Sequence, residues 1–258
     1  MTQHFVDYNE LDLTPVADCS LCCYQNTLLI SGTCKPSHSC IRIENGTQIE
    51  RFFKANPECA PDYSQDPFWE RRAIAARYLP INQLEPLLTD SDEAVRRMLA
   101  YRIPIEWLHR LRDDVDREVR ITVADRLPEH DVELMACDPD YLVRAYVAKR
   151  IPQGRLFRLA ADSDTEVRRI VAERIPSVSL GLLLNDSSVT IRRIVAQRIE
   201  LDDLILMSRD DDWTVRYEVA LRAKPELLKQ LLNDTDVEVR EMAEQRLNLE
   251  MEIQNDKS

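Results

Sequence analysis

The sequence predicts an all-α solenoid of eight 24-residue repeats over residues 66–247, and three observations predict it. First, aspartate recurs at every 24th position through this range without a gap. Second, an apolar stripe with the spacing of one helix face follows nearly every one of these aspartates. Third, no segment alternates with the period of two that a half-buried strand requires. Each repeat is therefore expected to hold one longer and one shorter helix, with no sheet.

Three series of charged residues keep this register along the chain. The aspartates are Asp66, Asp90, Asp114, Asp138, Asp162, Asp186, Asp210 and Asp234. A first arginine series follows a valine, or isoleucine at Ile191, and comprises Arg96, Arg120, Arg144, Arg168, Arg192, Arg216 and Arg240. A second arginine series lies six residues further on, at Arg102, Arg126, Arg150, Arg174, Arg198, Arg222 and Arg246. The period is shorter than the roughly 40–47 residues of armadillo and HEAT repeats, which hold two or three full helices.

The second repeat shows how one unit is built. Asp90 and Asp92 offer carboxylate oxygens to the free amide groups at the start of a helix. Val95, Leu99 and Ile103 then follow with a spacing of four, which places them on one helix face. This face is expected to form the core between stacked repeats, because one unit cannot bury it alone.

Proline ends most of these helices, because it disfavours helical backbone at the residue before it. The stop prolines are Pro80, Pro104, Pro128, Pro152 and Pro176. A short segment with leucines three residues apart comes next, as at Leu108 and Leu111. This spacing predicts a single helical turn, for which a 3₁₀-helix is a candidate.

The first and last parts of the array depart from the pattern. Arg71 stands in the valine position of the first copy, and Tyr78 stands in its second-arginine position. Residues 248–258 form a polar C-terminal tail that is expected to fray. Terminal repeats of a solenoid are atypical because they cap the core.

Two interpretations of the arginines are open. Arg102 lies seven residues after Val95, about 20° from it around the helix, and should point to the edge of the core. We therefore expect the second arginine series to pair with the aspartates and fix the stacking of repeats. The first series, such as Arg96, lies about 100° from the valine stripe and is expected to face solvent. A basic stripe for nucleic-acid backbones is the alternative, although the net charge of −12 opposes it.

Six of the seven cysteines precede residue 60, in a stretch that begins without a basic signal-peptide region. Clustered cysteines without an export signal indicate metal ligands rather than a disulfide framework. The predicted ligands are Cys19, Cys22, Cys34 and Cys40, spaced C-x2-C-x11-C-x5-C. Four thiolates suit an iron–sulfur cluster or tetrahedral zinc. The irregular spacing slightly favours the cluster, and zinc and a metal-free thiol group both stay open.

The remaining candidates near this set are weighed separately. His38 could supply a nitrogen ligand, although a lone loop histidine is more often simply solvated. Cys23 or Cys59 could replace one of the four named ligands. Cys137 occupies an ordinary repeat position and is expected to be structural.

Both parts of the chain resemble a known family. The pattern Asp-x-Asp-x-x-Val-Arg-x-x-Val-Ala-x-Arg-Ile-Pro, clearest from Asp162 to Pro176, resembles the leucine-rich repeat variant family. The four-cysteine run, followed by Ile49-Glu50-Arg51-Phe52-Phe53, resembles that family's iron–sulfur segment. The resemblance implies a right-handed superhelix of alternating α- and 3₁₀-helices. It also implies one [4Fe–4S] cluster in a small domain over residues 1–62, and it places the cluster ahead of zinc.

These features predict a non-enzymatic interaction scaffold in the cytoplasm whose cluster has a redox, iron-responsive or structural role. A repeat array offers a long surface to a protein partner. No nucleophile–base pair is recognisable, and no run of about 20 apolar residues could span a membrane. The alternatives are an electron carrier to a docked enzyme, and nucleic-acid backbone binding by the arginines.

Overall fold

The computed structural model describes residues 14–255, and the regular elements of that range are all helical. Its one β feature within the described range is an isolated antiparallel bridge between Lys35 and Ser39. The chain divides into two compact units, Met1–Arg126 and Leu127–Ser258. The all-α prediction is confirmed over the described residues.

The first unit begins with two helices of the cysteine-rich part and continues into the repeats. Its α-helices are α1 (Leu28–Ser31), α2 (Gly46–Ala55), α3 (Trp69–Ala75), α4 (Glu93–Arg102) and α5 (Arg117–Arg126). Its 3₁₀-helices are η1 (Pro57–Tyr63), η2 (Ile81–Gln83), η3 (Glu85–Thr89) and η4 (Ile105–Leu111).

The second unit continues the alternation of longer and shorter helices. Its α-helices are α6 (Glu129–Val132), α7 (Tyr141–Arg150), α8 (Thr165–Arg174), α9 (Val189–Arg198), α10 (Trp213–Arg222), α11 (Pro225–Leu231) and α12 (Val237–Asn255). Its 3₁₀-helices are η5 (Glu133–Met135), η6 (Gln153–Leu159), η7 (Ser177–Leu183) and η8 (Leu201–Met207). The short segment is thus a 3₁₀-helix in most repeats and an α-helix at α11. The polar tail, expected to fray, instead continues α12 as far as Asn255.

The start and stop signals act as the sequence predicts. Asp92 has extended backbone before α4, and its carboxylate accepts the Ala94 N–H at 3.0 Å. Pro104 follows the helix with φ −54° and ψ 150°, so the chain leaves in an extended conformation. Glu200, which replaces this proline after α9, has nearly the same backbone with φ −59° and ψ 147°. Proline therefore favours the stop without being required for it.

The apolar stripe forms the core of each unit. Val95, Leu99 and Ile103 are fully buried, and Leu108 and Leu111 cover them from the short helix with no more than 1% exposure. Burying a large aliphatic side chain contributes about 1.5–3 kcal/mol to folding, so the stripe supplies most of the driving force for stacking. Among the helices of residues 14–255, none has the length and apolar composition of a membrane span.

The first arginine series is buried or half-buried, and the prediction that it faces solvent is wrong. Arg96 Nε and Nη2 donate to both carboxylate oxygens of Asp114 at 2.7 and 3.0 Å, and Nη1 donates to the Asp90 carbonyl at 2.7 Å. The helical wheel gives the direction of the Arg96 Cα only. The long side chain carries the guanidinium away from that direction, to the aspartate of the next repeat. Equivalent pairs are Arg72–Asp90, Arg144–Asp162, Arg168–Asp186, Arg192–Asp210 and Arg216–Asp234.

The second arginine series also joins repeats, but its acceptors are carbonyls and not the predicted aspartates. Arg126 Nη1 and Nη2 donate to the carbonyls of Ala100 and Ile103 at 2.6 and 2.9 Å. The last carbonyls of a helix lack partners within it and carry partial negative charge, so a cation from the next helix satisfies them. The same contact recurs as Arg102–Ala76, Arg174–Ala148, Arg198–Ala172, Arg222–Ala196 and Arg246–Leu221. Both series therefore hold neighbouring repeats together.

Candidate metal centre

Two tight turns bring the first three predicted ligands together. The Cys22 N–H donates to the Cys19 carbonyl at 3.1 Å, which folds the C-x2-C loop back on itself. The short helix α1 then ends at Gly32, whose φ of 77° lies in the left-handed region that glycine tolerates. This reversal lets the Cys34 N–H donate to the Leu28 carbonyl at 3.1 Å.

The fourth ligand is positioned by the following helix. Lys35 and Ser39 exchange backbone hydrogen bonds of 2.9 and 3.0 Å, closing a turn just before Cys40. The Cys40 N–H then donates to the Gln48 carbonyl of α2 at 3.2 Å. Helix α2 is itself fixed at its start by Asn45, whose side chain accepts the Gln48 N–H at 3.1 Å.

The four predicted ligands lie close enough to influence one another electrostatically. Cys34 and Cys40 are 3% and 2% exposed, Cys22 is 9% exposed, and Cys19 is half-buried. Burial, followed by the neighbouring thiols of Cys40, Cys22 and Cys19, raises the pKa of Cys34 to about 12. Burial and then the thiols of Cys40 and Cys22 also raise the pKa of Cys19. Four thiolates would be unstable here by themselves, and a positively charged metal centre would offset both the burial and the repulsion.

This donor set fits an iron–sulfur cluster chemically, since it offers four thiols within electrostatic range of one another, three of them buried. Within residues 14–255, no three His, Cys, Asp or Glu side chains are arranged to hold a single metal ion. As ligands of a cluster, Cys19, Cys22, Cys34 and Cys40 remain a prediction.

The other candidates lie around this set. Cys23 is exposed, with the Cys22 thiol beside it. Cys59 is buried beside the hydroxyl of Tyr24. His38 is exposed on the turn between Lys35 and Ser39, and Cys137 is exposed in the repeats. Cys23 thus stays the nearest substitute for a named ligand.

An aromatic core fixes the cysteine-rich part to the first repeat. Phe52 and Phe53 of α2 are fully buried. The Tyr24 ring lies 5.4 Å from Phe52, and Tyr78 of the first repeat stacks on Phe53 at 5.9 Å. Aromatic pairs at these distances contribute about 0.5–1.5 kcal/mol beyond their buried area.

The two atypical residues of the first repeat have a structural role that the sequence left unexplained. Arg71 Nε and Nη2 donate to the carbonyls of Ile41 and Arg42 at 2.8 and 3.2 Å, directly after Cys40. The Tyr78 hydroxyl donates to Glu50 of α2 at 2.7 Å. The departure from the repeat pattern at Arg71 and Tyr78 was the available signal. A residue type that differs from its equivalents in the other repeats indicates a different contact at that position.

Comparisons with known proteins agree with both parts of this description. Residues 15–62 match a family model described as "LRV protein FeS4 cluster". A solved structure described as "a leucine-rich repeat variant with a novel repetitive protein structural motif" is 53% identical in sequence. That match covers 91% of this chain and 100% of the other, with a TM-score of 0.85.

A curated relative gives a shorter match. The "Uncharacterized 27.7 kDa protein in nifB 3'region" of Rhodobacter capsulatus is 42% identical over 95 residues. The aligned part is 36% of this chain and 38% of the relative's length. Together the comparisons confirm the helical-repeat fold and associate the N-terminal part with an iron–sulfur cluster, and they give zinc no support.

Proposed function

The chain belongs to the leucine-rich repeat variant family, and on that premise we propose that it is a non-enzymatic, cytoplasmic interaction scaffold carrying one [4Fe–4S] cluster. Cys19, Cys22, Cys34 and Cys40 are the proposed ligands. The observation that supports this proposal is that these four thiols lie within electrostatic range of one another, three of them buried, inside the segment that matches the iron–sulfur family model.

The protein's own residues determine how such a group would be held. When bound, a [4Fe–4S] cluster supplies one-electron redox chemistry or a structural cross-link. Helix α2 and the bridge at Lys35 and Ser39 orient Cys40, and Gly32 turns Cys34 inward. Arg71 of the first repeat donates hydrogen bonds to the backbone directly after Cys40, so the proposed centre is fixed to that repeat.

Exposed apolar side chains support the scaffold part of the proposal. In the second unit, three successive 3₁₀-helices each expose large apolar groups to solvent. They are Phe157 on η6, Val178 and Leu182 on η7, and Leu201, Ile205 and Leu206 on η8. Exposed apolar side chains on successive repeats are available to a protein partner.

An electron carrier is the second candidate function, and one feature of the cysteine turn favours it. Leu21, between Cys19 and Cys22, is 87% exposed, so the turn presents an apolar tip beside half-buried Cys19. A redox partner that docks there would approach the centre closely. The nucleic-acid alternative is disfavoured, because the arginines of both series are used in contacts between repeats.

Anaerobic purification followed by iron, sulfide and zinc analysis tests the proposal. About four irons and four sulfides per chain are expected for one cluster, and stoichiometric zinc would contradict it. Dithionite titration followed by electron paramagnetic resonance then separates the two candidate functions. A reversible one-electron signal supports the electron carrier, whereas a cluster that dithionite does not reduce supports a structural role within the scaffold.

A further inference from the structure

A groove of about 810 Å³ lies over α3 in the first unit, flanked by α2 on one side and α4 on the other. We call it the α2–α4 groove. Its volume falls within the roughly 300–1,000 Å³ of typical ligand sites. Helix α2, which lines the groove, also provides the Gln48 carbonyl that accepts the Cys40 N–H.

The groove is locally basic in a chain whose net charge is −12. Arg51 and Lys54 reach it from α2, and Arg97 reaches it from α4. All three side chains are exposed, and no carboxylate of residues 14–251 forms an ion pair with any of them. Three cations on one surface that no carboxylate pairs with attract an acidic ligand.

Two glutamates also line the groove; Glu50 has partners of its own, and Glu70 lies beside the start of α2. Glu50 forms an ion pair with Arg77 at 2.9 Å and accepts the Tyr78 hydroxyl at 2.7 Å. The Glu70 carboxylate packs so closely against Gly46 that a Cβ at this position would clash with its Oε1. Gly46 begins α2, whose N-terminal partial positive charge favours a carboxylate. The charge that the groove offers to a ligand is therefore positive.

Aromatic side chains give the groove an apolar part. Trp69 and Tyr101 line it and are 41% and 58% exposed, and half-buried Met98 lies on the same helix as Tyr101. Tryptophan, tyrosine and arginine are the residue types that contribute most to binding at protein interfaces. Together with the three cations, these side chains form a surface that can bind both apolar and acidic groups of a ligand.

We propose that the α2–α4 groove docks an acidic segment of a partner protein, with one apolar side chain of that segment placed against Trp69 and Tyr101. This docking rests on the proposed function, because it names the partner chemistry of the scaffold. A peptide fits better than a nucleic acid, since Glu50 and Glu70 would repel a continuous run of phosphates and tolerate spaced carboxylates. The docked segment would contact the helix that orients Cys40.

The test uses the full chain, purified anaerobically, with iron and sulfide measured on each sample. The probe is a fluorescein-labelled synthetic peptide in which glutamates flank a central leucine, and fluorescence anisotropy gives its Kd. A groove variant carries Lys54→Glu and Arg97→Glu. The control variant carries Arg209→Glu and Lys229→Glu, which make the same charge change at exposed positions in the second unit.

The wild-type chain and the control variant are expected to bind with similar Kd, because distant exposed charges are screened at physiological salt. The groove variant should bind about tenfold more weakly or worse, and so should a wild-type chain given the same peptide with glutamines for glutamates. Equal binding by the two variants, or no binding by the wild type, would overturn the proposal.

Four further outcomes are decisive. Tighter groove-dependent binding of a labelled oligothymidine would assign the groove to nucleic acid and overturn the peptide. A wild-type dimer that the groove variant converts to monomer in sedimentation would assign it to a second copy. An iron-free sample that still binds the peptide would contradict the proposed cluster and support the docking. An iron-loaded chain that does not bind the peptide would overturn the docking and leave the cluster unaffected.

Discussion

At the scale of single residues, adjacent arginines of one helix have opposite environments. Arg168 is buried, donating to both oxygens of Asp186 at 2.7 and 3.1 Å and to the Asp162 carbonyl at 2.9 Å. Arg169 is more exposed and pairs with Glu166 and Glu173 on its own helix. The first arginine joins two repeats, whereas the second forms only local surface pairs.

Replacing these two arginines by alanine should therefore have unequal costs. Arg168→Ala leaves the Asp186 carboxylate buried without its cation and should lower the free energy of unfolding by about 3–5 kcal/mol. Arg169→Ala removes a surface network and should cost about 0–1 kcal/mol. Urea denaturation followed by circular dichroism measures both, and equal losses would show that the buried pairs do not fix the stacking.

The buried aspartates predict a loss of stability in acid. Burial alone would raise the pKa of Asp186, but hydrogen bonds from Arg168 and from the Ser188 N–H outweigh it, and the pKa lies below its usual value. The same balance lowers the pKa of Asp90, Asp162 and Asp234. A lowered folded-state pKa stabilises the protein above the unfolded value of about 3.9, and this stabilisation is lost as the pH falls through the folded value.

Melting temperatures between about pH 2 and pH 7 check this expectation. The wild type should lose stability most steeply below about pH 4. Asp186→Asn should melt lower at neutral pH, because one buried pair is gone, and its acid decline should be shallower. Asp202→Asn serves as control, since that exposed aspartate pairs only with Lys224 and should leave the acid slope unchanged. An unchanged slope in Asp186→Asn would contradict the assignment.

At the scale of the helical elements, the stop position after each α-helix depends on backbone conformation more than on residue type. Glu200 has φ −59° and ψ 147°, and Ile199 before it is extended with ψ 154°. Both conformations suit a proline and its preceding residue. The chain after α9 therefore already follows the path that proline sets in the other repeats.

Glu200→Pro should consequently stabilise the protein by about 0.4–1 kcal/mol, because proline removes freedom from the unfolded chain without straining the folded one. Gln197→Pro, three residues earlier inside α9, should cost about 3 kcal/mol or more by breaking a helical hydrogen bond. Chemical denaturation compares the two variants. A marked loss of stability in Glu200→Pro would show that the glutamate has a role beyond ending the helix.

The sequence was sufficient to predict the elements because each has a strong local cause. The aspartate cap, the apolar stripe at Val95 and the stop at Pro104 each act within one turn of helix. The acceptors of the arginines could not be predicted in the same way. A helical wheel gives the direction of a Cα, but it does not give the neighbour that a long flexible side chain reaches in the next repeat. The extension of α12 to Asn255 was also missed, because the segment after Leu247 lies outside the 24-residue pattern.

At the scale of the whole molecule, the cysteine-rich part covers the exposed end of the first repeat within the first unit. Arg71 and Tyr78, which depart from the repeat pattern, hold the cysteine-rich part in place. Arg71 donates to the Ile41 and Arg42 carbonyls, and the Tyr78 hydroxyl donates to Glu50. A repeat array needs such a cover, because its terminal unit would otherwise expose part of the core.

Restoring the repeat pattern at this junction should weaken the cover. Arg71→Val removes the bonds to Ile41 and Arg42 and should cost about 1–3 kcal/mol of local stability. Hydrogen exchange should then become faster in α2, Gly46–Ala55, and stay unchanged in α8, Thr165–Arg174. Unchanged protection of α2 would mean that the aromatic core alone holds the two parts together.

The candidate centre was only partly predictable from sequence. Spacing identified Cys19, Cys22, Cys34 and Cys40 as a set, because turns of two and five residues can fold back locally. The contacts that orient Cys40 could not be predicted from the sequence, because they come from other helices. The Gln48 carbonyl accepts the Cys40 N–H, and Arg71 donates to the Ile41 carbonyl.

The most direct test of the central claim is the iron content of single cysteine-to-serine variants, each purified anaerobically. The wild type, Cys137→Ser and Cys59→Ser should retain about four irons and four sulfides per chain. Cys19→Ser, Cys22→Ser, Cys34→Ser and Cys40→Ser should each fall well below that ratio, while circular dichroism shows that the repeats remain folded. Full iron content in Cys34→Ser, or a wild type that binds zinc and no sulfide, would contradict the account.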